Sequence, residues 1–296
     1  MKRILLSQIF NNTLTLKATP VILPNSPLSS NITPADLERR TNSYNARRAL
    51  LKSNPLLYIS QTRLSIRQIP LFVTERVLKR LALHAVHTFE AEVKEGSRTG
   101  LTPDELARSN EDETNPASHT STTRHKRFTG HLTGVKQAKI VRQQDRVDVI
   151  IGKGRSKGYG FVEMRNHPDA LRVLRWANCN PNIGPLLEQW YKEEMEDLLR
   201  TEKQKAEKER DGTRMNRMQE EIDQGPRKNG RSSLIVEFSI ENVQVVQRRG
   251  RKQDEVAIAK VEIRLLKTVL LLSFDLGLRR CGDKETEKYI TSKERE

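Results

Sequence analysis

Leu64, Ile66 and Ile69 form a short apolar run closed by Pro70, the texture of a strand whose inner face is buried. Thr74 then suits the cap of a helix, because Leu78, Leu81, Ala82, Ala85 and Phe89 repeat at three- and four-residue spacing and make one apolar stripe. Periodicity disappears over residues 94–134, which collect Gly, Ser, Thr, Asn and Asp and read as an insertion. Val135 to Val141 suits a second strand, and Gly158 to Met164 a third that follows the basic loop Gly152 to Lys157. After a capping Asn166, Ala170, Val173, Leu174 and Ala177 mark a second core-facing helix that Asn178 to Pro181 stops. A further helix begins near Pro185 with Leu187, Tyr191, Met195 and Leu198 on one side, inside a second insertion over about 180–231. Leu234 to Ile240 is the last strand. The predicted order is strand, helix, strand, strand, helix, strand: an α+β arrangement with two helices on one face of a four-stranded antiparallel sheet and the other face open.

The flanks are different in kind. Residues 1 to about 60 hold Pro20, Pro24, Pro27 and Pro34 among Ser and Asn, so a largely disordered basic arm is expected. Within it, Thr33 and Pro34 start a possible short helix through Leu37, Tyr44 and Ala49, whose Arg39, Arg40, Arg47, Arg48 and Lys52 either follow a phosphate backbone or simply face water. The core domain is set at 61–249. Beyond it, 250–296 reads as a basic, poorly defined tail that could hold an extra helix or strand; its Leu265 to Leu272 run is too short to span a bilayer.

Composition narrows the chemistry. Fifty-three Lys and Arg against 38 Asp and Glu give a charge of +15, which favours a polyanionic partner, while 35% hydrophobic and 31% charged residues favour one modest core with polar extensions. Cys179 and Cys281 are too few for a disulfide framework or a thiolate zinc site, and Ile4-Leu5-Leu6 is too short for a leader or an anchor, so an intracellular protein is expected. His119, His125 and His131 have even spacing but no cysteine nearby, and Gly152-Lys153-Gly154 lacks the spacing and following helix of a phosphate loop. No metal, cofactor or small-molecule substrate is expected, and no set of residues suggests an enzyme.

The informative segment is Lys157-Gly158-Tyr159-Gly160-Phe161-Val162-Glu163-Met164, which fits seven of the eight positions of the RNP1 pattern. On a strand, Lys157, Tyr159 and Phe161 share one face, positive, aromatic, aromatic, a set that can stack bases and meet phosphate. The segment therefore resembles the RNA recognition motif (RRM), a ferredoxin-like βαββαβ sandwich. Its partner segment, Leu64-Ser65-Ile66-Arg67-Gln68-Ile69, departs from the family by placing Ser65 where a ring usually stands, and Met164 replaces the last aromatic of RNP1. The candidate RNA contacts are Tyr159 and Phe161 for stacking, Lys157, Arg155 and Lys153 for phosphate, Arg67 from the first strand, and Gln68 for a base edge.

Residues 63–70, 153–161, 171–178 and 235–242 together resemble the last RRM of the fungal nucleolar multi-RRM ribosome-biogenesis proteins. That resemblance, running from about Thr33 to Arg249, implies binding to single-stranded regions of precursor ribosomal RNA during large-subunit processing, in the nucleolus of the nucleus, with pre-ribosomal proteins as further partners and no membrane. Those proteins carry several RRMs, so this chain corresponds to a C-terminal portion of them or to a shortened gene model. The alternative is an RRM that binds protein and acts as a scaffold, which the missing ring at Ser65 favours.

Overall fold

The computed structural model describes residues 32–106, 134–147, 152–178, 180–205, 211–226 and 233–275. His119, His125, His131, Cys179 and Cys281 lie outside them, as does most of the first insertion. The chain divides into two compact units, one with the described residues up to 55 and 59–240, the other with 56–58 and 241 onward.

The elements in order are α1 (Pro34–Ser53), β1 (Leu57–Arg67), α2 (Glu75–Lys94), β2 (Val135–Val147), β3 (Gly154–Met164), α3 (His167–Ala177), α4 (Ile183–Gln204), α5 (Gly212–Gln224), β4 (Ile235–Asn242) and α6 (Val243–Asp275). The fold is α+β, with one open antiparallel four-stranded sheet in the order β2-β3-β1-β4. Thus β3 and β1 are central while β2 and β4 form the edges.

The core lies between one sheet face and α2 and α3. Leu64 and Ile66 of β1, Val162 and Met164 of β3, and Val236 and Phe238 of β4 meet Leu78, Leu81, Ala85 and Phe89 of α2 and Val173 and Leu174 of α3, all buried. Each such aliphatic or aromatic side chain contributes roughly 1.5–3 kcal/mol when removed from water, which fixes the strand registers by fixing which face turns inward. Thr74 caps α2, its Oγ1 accepting from the Val77 amide at 3.2 Å, and the same hydroxyl donates to Glu194 of α4. Asn166 occupies the cap position of α3 with extended backbone, but its side chain makes no capping hydrogen bond.

Several local expectations need correction. β1 begins at Leu57, upstream of the apolar run, and it ends at Arg67 because Gln68 takes φ +62°, a left-handed conformation that no strand tolerates. The basic segment after Gly152 is not a free loop: from Gly154 it is already strand, with Gly154 opposite Val147 and Ser156 opposite Arg142. Within the second insertion, the charged run from Arg200 to Arg217 is divided between two helices. It is broken near Lys205, and Asp211 starts α5 by accepting from the Arg214 amide at 3.1 Å. The second insertion is therefore a helical hairpin, closed by Tyr191, Met195 and Leu199 of α4 against Met215, Met218 and Ile222 of α5.

His84 of α2 is half-buried between aromatic rings. Its ring stands edge-on to both Trp176 of α3 and Trp190 of α4, with centroids 5.4 and 5.1 Å away, so the two tryptophans are packing residues. Loss of hydration, with the nearby charges of Arg80 and His87, lowers the His84 pKa. The first insertion opens by folding back on α3: Arg98 pairs with Glu92 and donates to the Arg175 carbonyl, and Arg175 pairs with Glu105.

In the second unit, the Val243 amide donates to the Leu56 carbonyl at 3.1 Å and the Tyr58 hydroxyl reaches Glu241 at 3.4 Å. There α6 occupies much of the stretch expected to be a poorly defined tail. Among the described residues no helix is long and apolar enough to cross a membrane, and no group of side chains could hold a metal ion.

Candidate nucleic-acid interface

The site is built on β3, where burial alternates along the strand. Ser156, Gly158, Gly160, Val162 and Met164 are buried toward the helices, while Arg155, Lys157, Tyr159, Phe161 and Glu163 stand on the less buried side. This alternation is what the period of two demands when only one face of a sheet has a covering layer. Tyr159 keeps 38% of its surface exposed, a large value for a ring on an interior strand of the sheet.

The glycines serve the backbone rather than the flatness of the open face. Gly158 has φ +77°, which lets β3 bulge where the register with β2 slips between Ile140 and Arg142. At Gly160, a Cβ would lie 2.7 Å from the Lys139 carbonyl oxygen, so a side chain there would push β2 and β3 apart.

The neighbours of the two rings follow from the register. Ser65 of β1 and Lys139 of β2 flank Phe161, and Arg67 of β1 is opposite Tyr159. Lys139 is exposed and belongs to the face; sequence reasoning missed it because nothing in the β2 pattern reveals which residue will lie beside Phe161. Arg63, two residues before Ser65, holds its guanidinium over the Phe161 ring at 4.8 Å from the centroid. It too escaped the sequence, since only the pairing of β1 with β3 brings it there.

The structure separates the predicted contacts into two groups. Arg155 and Lys157 are exposed and, like Lys139, have no ionic or hydrogen-bonding partner among the described residues. Arg67 is engaged: it pairs with Glu237 of β4 at 2.6 Å and donates to the Ser43 hydroxyl of α1. Lys153 pairs with Glu75 at the start of α2, at 3.0 Å, although its side chain stays half exposed. Gln68 is off the strand and half-buried, not aligned with Tyr159 and Phe161 on the face.

Glu163 of β3 and Glu237 of β4 are paired with cations. Glu163 pairs with Lys136 at 2.5 Å, and Glu237 with Arg67 and, at 3.6 Å, with Arg47. At the hairpin end, burial alone would raise the pKa of Glu75, but hydrogen bonds from Arg142 and Lys153 outweigh it and hold the carboxyl at about 2. Among the described residues, the face around Tyr159 and Phe161 is aromatic and positive.

The extent of the face is set by α1. Asp36, Arg40 and Ser43 of this helix are buried along β4. Arg40 donates to the Leu234 carbonyl and to Asn178, each at 2.9 Å, and Arg47 donates to the Phe238 carbonyl. Asn178, just past α3, pairs with Val236 as a strand residue would, accepting from its amide at 3.0 Å and donating to its carbonyl at 2.9 Å. Arg40 and Arg47 are thus structural, whereas Arg39, Arg48 and Lys52 remain exposed.

No family model matches this chain, and no solved structure matches it.

Proposed function

We propose that this chain is an RNA-binding protein of the RRM type, taking single-stranded RNA on the open face of its sheet. The observation that carries the reading is the exposed Tyr159 and half-buried Phe161 on the outward side of interior strand β3, framed by Arg155, Lys157 and Lys139, which have no ionic partner among the described residues. Rings side by side accept unpaired bases whatever their sequence, and cations around them meet the phosphates between those bases. An open antiparallel sheet in the order β2-β3-β1-β4, with two helices on its buried face, supports this reading. Arg67, Gln68 and Lys153 enter this proposal only as secondary contacts, since each is held elsewhere or turned away.

From the resemblance to nucleolar multi-RRM proteins we further propose precursor ribosomal RNA as the target, in large-subunit assembly in the nucleolus, without catalysis. Mapping crosslinked RNA in cells tests the target and its compartment together; reads spread over messenger RNA would overturn the ribosomal assignment.

The direct test is Tyr159→Ala with Phe161→Ala in the full chain, titrated with single-stranded RNA at fixed salt. Loss of the two stacking surfaces is expected to weaken binding by at least about tenfold. Unchanged affinity sinks the platform. A protein-binding scaffold is the second reading, favoured because Arg63 already covers Phe161; it requires a protein partner that survives nuclease treatment while β3 yields no RNA crosslink.

A further inference from the structure

We infer that Arg63 supplies the second wall of a base slot on Phe161, in place of the ring that is missing at Ser65. The inference rests on the RNA-binding reading and deepens it. Ser65 lies directly opposite Phe161, and its short side chain leaves open the space beside the ring; its hydroxyl is engaged with the Glu237 carbonyl at 3.2 Å. Over that ring lies the guanidinium of Arg63, 4.8 Å from the centroid.

A guanidinium is planar, permanently charged and weakly hydrated, so it stacks on a nucleobase as an aromatic side chain does, which a lysine ammonium cannot. A base between ring and guanidinium needs two van der Waals gaps of about 3.5 Å each. From the present separation of 4.8 Å the guanidinium has to lift by only about 2 Å, within reach of side-chain rotation. Without RNA, Arg63 closes the slot and keeps the Phe161 ring from presenting a bare apolar surface. With RNA, it closes over the base. Tyr159, opposite Arg67, takes the adjoining base.

Lys at position 63 separates stacking from charge. A single-stranded RNA octamer with 2-aminopurine at one position is titrated into the full chain and into Arg63→Lys, Arg63→Ala and Lys139→Ala, at one salt concentration. Stacking quenches 2-aminopurine fluorescence. Arg63→Lys and Arg63→Ala are expected to weaken binding by a similar factor, about five- to tenfold, and to lose part of the quenching at saturation. Lys139→Ala should weaken binding while leaving the quenching intact.

Arg63→Lys that binds and quenches like the unaltered chain would overturn the inference, because charge alone would then suffice. Tighter binding by Arg63→Ala would overturn it too, making Arg63 a mere cover on the ring. If Tyr159→Ala with Phe161→Ala also leaves binding unchanged, the platform reading itself has failed; if that pair weakens binding and Arg63→Lys does not, only the slot has failed.

Discussion

A single added methyl at Gly160 would meet the Lys139 carbonyl oxygen at 2.7 Å and the Ile69 side chain at 3.3 Å. Neither the strand backbone nor a fully buried isoleucine can yield cheaply, so Gly160→Ala is expected to lower stability by about 1–3 kcal/mol, read as a lower denaturant midpoint at unchanged slope. Gln68 gives a test of opposite sign. Its φ of +62° carries a steric cost that glycine escapes, so Gln68→Gly should be at least as stable as the unaltered chain, while Gln68→Val should lose about 1–2 kcal/mol. These residues also mark what could be read from the sequence. Tyr159, Phe161 and the buried alternation of β3 were legible because a period of two is written into neighbouring residues. The neighbours of Gly160, Arg63 and Lys139 were not, because each is set by the pairing of strands that are separate in the sequence.

Among the elements, α1 is the instructive case. Its Arg40 and Arg47 read in the sequence as facing water or phosphate, yet they donate to the carbonyls of Leu234, just before β4, and of Phe238, while Ser43 donates to the carboxylate of Glu237. Hydrophobic periodicity cannot disclose a helix that docks through hydrogen bonds. Asn178 belongs to the same seam, and Asn178→Ala leaves the Val236 amide and carbonyl without their partner; a loss of about 2 kcal/mol in equilibrium unfolding is expected. Glu75 binds the start of α2 to the β2–β3 hairpin through Arg142 and Lys153. Because its folded pKa lies below its unfolded value, its contribution is present above about pH 4.5 and fades as pH falls toward 2. Glu75→Gln should therefore cost about 1–2 kcal/mol near neutrality, a figure reduced for the water that still reaches the carboxylate, and the gap should close across that acid window.

For the molecule as a whole, the charge of +15 predicts that the proposed binding of RNA depends steeply on salt, with the cations unpaired among the described residues setting the slope. On single-stranded RNA each phosphate contact contributes about 0.7 to the slope of log affinity against log salt, so Lys157→Ala should shallow the slope by about that amount. Arg40, Arg47 and Arg142, already engaged within the fold, would leave it unchanged if replaced without unfolding; a slope that tracked total charge instead would show that binding is diffuse.

The closed rim of β4 has one further consequence. A sheet with two open rims can copy itself outward without limit, each molecule offering the next a place to join. Here Arg40, Asn178 and Arg47 occupy the places on one rim where such a neighbour would bond, leaving β2 as the other edge strand. Any strand-to-strand joining of two copies through β2 would end as a pair, because the far rim of each is already taken: a fibre has no second end from which to grow.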